Sequence, residues 1–331
     1  MPLMSYLKLK FKTDTLVKNN KVQRHVPYQD VATLMFNTKP MKKITLCLFL
    51  ILSASLANAQ SVSGQVKVEI LYSDLLENKG GENPERNIVV YLPPGYDYTE
   101  QRYPVIYFLH GFTGTASGEM EWGKWDQLLD QAISTKRIKP VILVIPNQHT
   151  LYQGSFYTNS DLTGNWADFT AKDLVSFIDS EFRTMPDRES RGIAGLSMGG
   201  HGAIKMGMLY PDVFSSVYAL SPAMLGLVGD IGINANAYKK LASINTRQEL
   251  TDGSNFMANA IVAAGRAFSP NLQKPPFYAN LPYSYVEDSL VVSKETIALW
   301  NKNLPIEMIN DNYENLKKLN ALKLDGEGMM G

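Results

Sequence analysis

Two rhythms alternate along this chain: short runs in which nearly every residue is apolar, and longer stretches in which apolar residues return every three or four positions. The runs at 105–109 and 141–145 are wholly hydrophobic, as strands buried on both faces of a sheet are. Further strands are expected at 87–91, 192–194, 215–220 and 321–324, with Pro93-Pro94, Pro146 and Pro222 ending three of the runs. Helices are expected at 124–134, at 166–182 with Phe169, Leu174, Phe177 and Ile178 on one side, and at 197–210. This alternation predicts an α/β fold, a mostly parallel sheet with helices on both faces. Residues 223–320 break the rhythm. They read as a helical insertion carrying Met224, Phe256, Met257, Phe268, Phe277, Tyr278 and Tyr283, either a lid-like cap or extra packing helices.

Residues 41–59 follow another pattern. Lys42 and Lys43 precede an apolar run at 44–52, and Ala57-Asn58-Ala59 is a small-x-small cleavage site before Gln60. That is the layout of a secretory signal peptide. The run is shorter than the ~20 residues of a membrane span. No cysteine follows the cleavage site, which argues against a lipid anchor. A secreted or periplasmic product with no stable membrane anchor is expected. Residues 1–40 show no period and are read as a leader from an upstream start-site error, or else as a genuine extension. Residues 60–331 remain as the folded domain.

Composition narrows the function. Hydrophobic residues make up 45% of the chain and charged ones 19%, enough for a sizeable core. Lys and Arg total 32, as do Asp and Glu, so no net charge draws the chain to nucleic acid. A neutral small molecule or a polymer-linked group is the expected partner. The single cysteine, Cys47, excludes a disulfide framework. No histidine pair has metal-ligand spacing and no phosphate loop is present, so no metal or cofactor is expected.

Candidate chemistry centres on Gly195-Leu196-Ser197-Met198-Gly199, which follows a short strand and opens a glycine-rich helix start. A serine nucleophile on a sharp strand-to-helix turn needs this setting, with Gly195 and Gly199 where backbones crowd. Ser197 is the expected nucleophile. Met198 N–H is one expected oxyanion donor; the second belongs to His110-Gly111-Phe112-Thr113-Gly114, after the strand at 105–109. Phe112 N–H is the candidate there and Thr113 the alternative, with His110 and Gly111 shaping the loop. Trp122, Trp125, Tyr152, Phe156, Tyr157 and Trp166 are aromatic pocket candidates, each with plain packing as the alternative reading, and His149 is a candidate pocket residue.

These segments, with Tyr91-Leu92-Pro93-Pro94-Gly95-Tyr96 and Tyr103-Pro104 before them, resemble the putative-esterase family of α/β-hydrolases over about residues 87–222, and more weakly over 313–325. That family includes S-formylglutathione hydrolases, feruloyl and acetylxylan esterases, enterochelin esterases and mycolyltransferases. The resemblance implies an α/β-hydrolase fold and a triad in the order serine, acid, histidine. It places the acid near Asp325, with Glu327 as the alternative. Of the four histidines, His25 lies in the leader, and only His201 follows Ser197, on the elbow helix itself. Residues 326–331 do not match the family's ending, so the final strand, the histidine loop and the last helix are expected to be missing through a cut near Asp325. The expected function is a secreted serine esterase, on acetylated or feruloylated polysaccharide by analogy, with this chain inactive for want of a triad histidine. Acyl transfer to a sugar is a variant within the enzyme class. A non-catalytic pseudo-esterase that binds carbohydrate or a partner is the alternative from another class.

Overall fold

Eleven strands occur among residues 63–326, the part of the chain that the computed structural model describes. They are β1 (Gln65–Tyr72), β2 (Glu85–Leu92), β3 (Val105–Leu109), β4 (Ile142–Pro146), β5 (Asn159–Ser160), β6 (Gly164–Asn165), β7 (Arg191–Leu196), β8 (Ser216–Leu220), β9 (Tyr283–Val286), β10 (Ser289–Val292) and β11 (Ala321–Asp325). Seven form one sheet in the order β1-β2-β4-β3-β7-β8-β11. β2 is antiparallel to both its neighbours, and β4, β3, β7, β8 and β11 run parallel. This is the α/β-hydrolase architecture that the motifs implied. Among the described residues β11 is the outer strand on its side. The leader at 1–40, the signal segment at 41–59 and Glu327 lie outside the described residues.

Alternate residues of each strand feed opposite cores, because side chains point to opposite faces with period two. Tyr107 and Leu109 of β3 join one core, with Phe169, Leu174 and Ile178 beneath them. Phe108, between them, joins the other, with Met120 and Leu129. On that second face lie α1 (Ala116–Gly123), which was not expected, and α2 (Trp125–Ser134), the helix expected at 124–134. Lys124 divides them in a left-handed conformation, and its N–H closes the end of α1 on Glu121 O. On the first face lie α3 (166–181) and α4 (Met198–Leu209). α3 contains a π-helical turn at Phe169–Asp173. There Thr170 Oγ1 donates to Trp166 O at 2.7 Å, a side-chain bond that competes with the regular backbone ladder.

The sequence reading missed β1. Its Val66, Val68 and Ile70 alternate with Lys67 and Glu69, the period-two signal of a strand, and in the structure these apolar residues are exposed at the sheet edge.

The segment between β8 and β11 holds α5 (Asn236–Leu241), α6 (Arg247–Thr251), α7 (Phe256–Phe268), α8 (Lys294–Asn301), α9 (Pro305–Met308) and α10 (Tyr313–Lys317). It is not purely helical as expected, since β9 and β10 form a hairpin within it. α7 is its buried axis, enclosed from Ala258 to Phe268. Trp300 of α8 packs edge-on against Phe268, and its Nε1–H donates to Ser269 Oγ at 2.8 Å.

Candidate active site

β7 ends and α4 begins at Ser197, whose φ of 56° and ψ of −114° few non-glycine residues adopt. Such a conformation costs about 1–3 kcal/mol and persists only where neighbours enforce it. Here they do. Ser197 N–H donates to Leu220 O at 2.9 Å, and Ser197 O accepts from His201 N–H and Ala223 N–H, both at 3.0 Å. Gly195 and Gly199 face each other across the turn: a β-carbon on Gly195 would lie 2.9 Å from Gly199 Cα. The turn lifts Ser197 to the mouth of a pocket, half-buried.

The loop after β3 stands against this turn. A β-carbon on Gly111 would sit 3.8 Å from Ser197 Cβ. Thr113 N–H donates to Gln153 O at 3.0 Å and is therefore committed. The N–H groups of Phe112 and Met198 make no hydrogen bond among the described residues.

Neighbouring bonds determine the state of His110. Gln148 N–H donates to His110 Nε2 at 2.9 Å, so Nε2 is the acceptor and Nδ1 carries the proton, which it shares with Gly111 O at 2.9 Å. Tyr157, wholly buried, donates its hydroxyl to His110 O at 2.7 Å. Both residues brace the loop from beneath. His149 contacts the same loop, through Nδ1 and Gly114 O at 3.0 Å. His201 uses Nδ1 on Ala223 O and Met224 O, at 3.3 and 3.2 Å, and stacks on Phe268. Ser197 Oγ makes no hydrogen bond to any of these imidazoles. His25 lies outside the described residues.

Burial holds both His110 and His201 neutral, their pKa values pushed down to about 4 and about 3 from the ordinary 6.5. The unfolded chain takes up these two protons near pH 6.5, before the folded one does. Their contribution to stability is therefore complete above pH 6.5 and is lost as pH falls toward the folded values. Thermal melts should show stability dropping between pH 6 and pH 4, at up to ~2.7 kcal/mol per pH unit for two protons. A melting temperature that stays level down to pH 4.5 would contradict this.

Asp325 ends β11. Its carboxylate accepts from Tyr218 Oη–H and pairs with Lys323 Nζ at 3.0 Å, contacts that hold its pKa below the usual value. It stands in register with Leu220 of β8, which in turn faces Leu196 of β7. Strands lie about 4.8 Å apart, so Asp325 is about 10 Å from the residue before Ser197.

Beside Ser197 opens a cavity of about 310 Å³. Phe112, Phe156 and Met198 line it from the sheet side, and residues 222–226, Val228, Ile231, Phe256, Met257 and Ala260 from the insertion. Of the aromatic residues proposed after strands and at helix starts, Phe156 lines it, and Trp122, Trp125, Tyr152, Tyr157 and Trp166 do not. Trp166 is wholly buried, its Nε1–H on Thr163 O and its ring under the Arg86 guanidinium. Trp125 packs on Phe108 in the opposite core, and Trp122, 71% exposed, points to solvent from α1. Position after a strand places a residue near the sheet's carboxyl edge, but helix phase decides which way its ring faces. Of the insertion residues marked in the sequence, Met224, Phe256 and Met257 reach the cavity. Val228, Ile231 and Ala260 had no signal beyond being apolar.

A family model described as putative esterase matches residues 82–259. An esterase of Mycobacterium tuberculosis is 34% identical over 150 residues, covering 44% of this chain and 30% of that protein. An endo-1,4-β-xylanase/feruloyl esterase of Xylanibacter ruminicola is 29% identical over 201 residues, covering 54% and 26%. An S-formylglutathione hydrolase of Paracoccus denitrificans is 30% identical over 144 residues, covering 40% and 50%. The matched stretch thus spans between a quarter and a half of these relatives. A solved ferulic acid esterase superposes with a TM-score of 0.47 at 18% identity, covering 80% of this chain and 90% of that one.

Proposed function

The chain belongs to the putative-esterase family, and from that premise we propose that it is a serine esterase in which Ser197 attacks a carboxylic ester, forms an acyl-serine and yields the acid to water. One observation carries this reading: a serine on a strained turn beside two unpaired backbone donors, Met198 N–H and Phe112 N–H. Donors free in the resting state are available to an oxyanion as it develops. Thr113 is set aside, since its N–H is occupied. The segment at 41–59 makes the product secreted or periplasmic in this proposal. Relatives named feruloyl esterase and acetyl esterase favour a polysaccharide-linked ester as substrate.

A base must take the serine proton, and an acid about 10 Å away acts only through an imidazole between them. No imidazole among the described residues stands there, and this favours a second reading, a non-catalytic pseudo-esterase that binds carbohydrate or a partner. The two separate by chemical rescue. On the esterase reading the 331-residue chain reacts slowly with a fluorophosphonate, added imidazole speeds labelling at least about tenfold, and Ser197→Ala abolishes it. No labelling at any imidazole concentration would leave the binding reading.

A further inference from the structure

Among the described residues, every side chain lining the cavity beside Ser197 is apolar, apart from Ser197 itself. Among the described lining residues no side chain carries a charge, an amide or a second hydroxyl to receive a polar substituent. Two walls belong to the insertion. One is the loop 222–231, which His201 holds through Ala223 O and Met224 O. The other is the first turns of α7, with Phe256, Met257 and Ala260. Three of the lining residues are methionines, Met198, Met224 and Met257, whose unbranched side chains adapt to irregular apolar shapes. The cavity opens to solvent at its rim, where Val228 and Phe256 are exposed, and its 310 Å³ is about twice the ~150 Å³ that holds a benzene ring in an enclosed apolar cavity. An acetyl group would leave most of it empty.

We infer that this cavity is an acyl subsite for an uncharged, apolar acyl group several carbons longer than acetyl. The inference rests on the esterase reading of Ser197 and narrows it, since it disfavours acetyl and carboxylated acyl groups at this site. Each fully buried methylene strengthens binding by about three- to fourfold, and a buried carboxylate without a partner opposes it.

The test is binding, read on the methionine methyl resonances of the 331-residue chain carrying Ser197→Ala, which removes the nucleophile. Methyl hexanoate, methyl acetate and monomethyl succinate are the probes. Methyl hexanoate should shift the Met224 and Met257 resonances with a dissociation constant at least about tenfold below that of methyl acetate, with two to four methylenes buried. Monomethyl succinate should bind no better than methyl acetate. Val228 is 70% exposed, so Val228→Asp places a charge at the rim without disturbing the core, and it should shrink the hexanoate-to-acetate ratio. Equal affinities for the three esters, unmoved methionine resonances or an unchanged ratio in Val228→Asp would each overturn the inference. Fluorophosphonate labelling of the unmutated chain reports separately on Ser197. Labelling with a flat chain-length profile removes the subsite and keeps the esterase; selective hexanoate binding without labelling does the reverse.

Discussion

Gly199→Ala should lower the melting temperature by about 10 °C and remove whatever reactivity Ser197 has. Its β-carbon would overlap Leu109 O and come within 2.5 Å of Leu109 C and 2.9 Å of His110 O. These are backbone atoms where β3 enters the oxyanion loop, so no rotamer change relieves the clash. The helix or the loop must move. Overpacking of this kind costs ~3 kcal/mol or more, against a total stability of 5–15 kcal/mol. For a domain of this size each kcal/mol lowers the melting point by about 2–4 °C. The loop that moves carries Phe112 N–H, so the site is lost with the stability. Differential scanning calorimetry and fluorophosphonate labelling of the variant are the checks. A melting point within 2 °C of the parent would show that the elbow tolerates a side chain.

Arg266→Ala should be comparably damaging, far from the serine. Glu82 and Arg266 are each only 2% exposed, with Oε1 and Nη2 3.5 Å apart. Glu82 Oε2 also accepts from Leu151 N–H at 2.7 Å, while Arg266 lies over the Tyr152 ring and donates to Phe277 O. Burial outweighs attraction on both sides: it raises the pKa of Glu82 and lowers that of Arg266. Truncating one partner strands a buried charge and costs about 3–5 kcal/mol, whereas neutralising both is often close to neutral. The double variant Glu82→Gln, Arg266→Met keeps an acceptor for Leu151 N–H and should recover most of the loss in a urea melt. If Arg266→Ala costs under 1 kcal/mol, or if the double variant is as unstable as the single one, the account of this pair fails. Arg266 lies on α7, which also lends Met257 and Ala260 to the cavity, so acyl selectivity should weaken together with stability.

Central strands and the elbow were legible in the sequence because their signals are local. A strand buried on both faces must be apolar throughout, and 105–109 and 141–145 are. A serine on a crowded turn needs glycines two residues to either side, and Gly195 and Gly199 supply them. Helix α1, which ends at Lys124, and the hairpin at 283–292 were missed. A left-handed lysine carries no mark in composition, whereas Tyr283-Ser284-Tyr285-Val286 and Ser289-Leu290-Val291-Val292 do carry the aromatic and β-branched residues of strands.

Which atoms meet around Ser197 was beyond the reach of any local pattern. Both Phe112 and Thr113 were oxyanion candidates until Gln153 O, forty residues on, was seen to occupy Thr113 N–H. His110 gave no sign of its tautomer until Gln148 N–H was found on Nε2. The tryptophans at helix starts were plausible pocket walls, yet beside Met224, Phe256 and Met257, which the sequence marked, the cavity is built from Val228, Ile231 and Ala260, which announce only that they are apolar. By itself the sequence determined the parallel sheet and the glycine-flanked serine turn, because spacing along the chain imposes them, and its motifs carried the resemblance to the family. The tertiary structure alone decided which backbone donors stay free, which imidazole nitrogens are spent and which apolar side chains wall the cavity, because most of those pairings join residues from 22 to more than 140 positions apart in the chain.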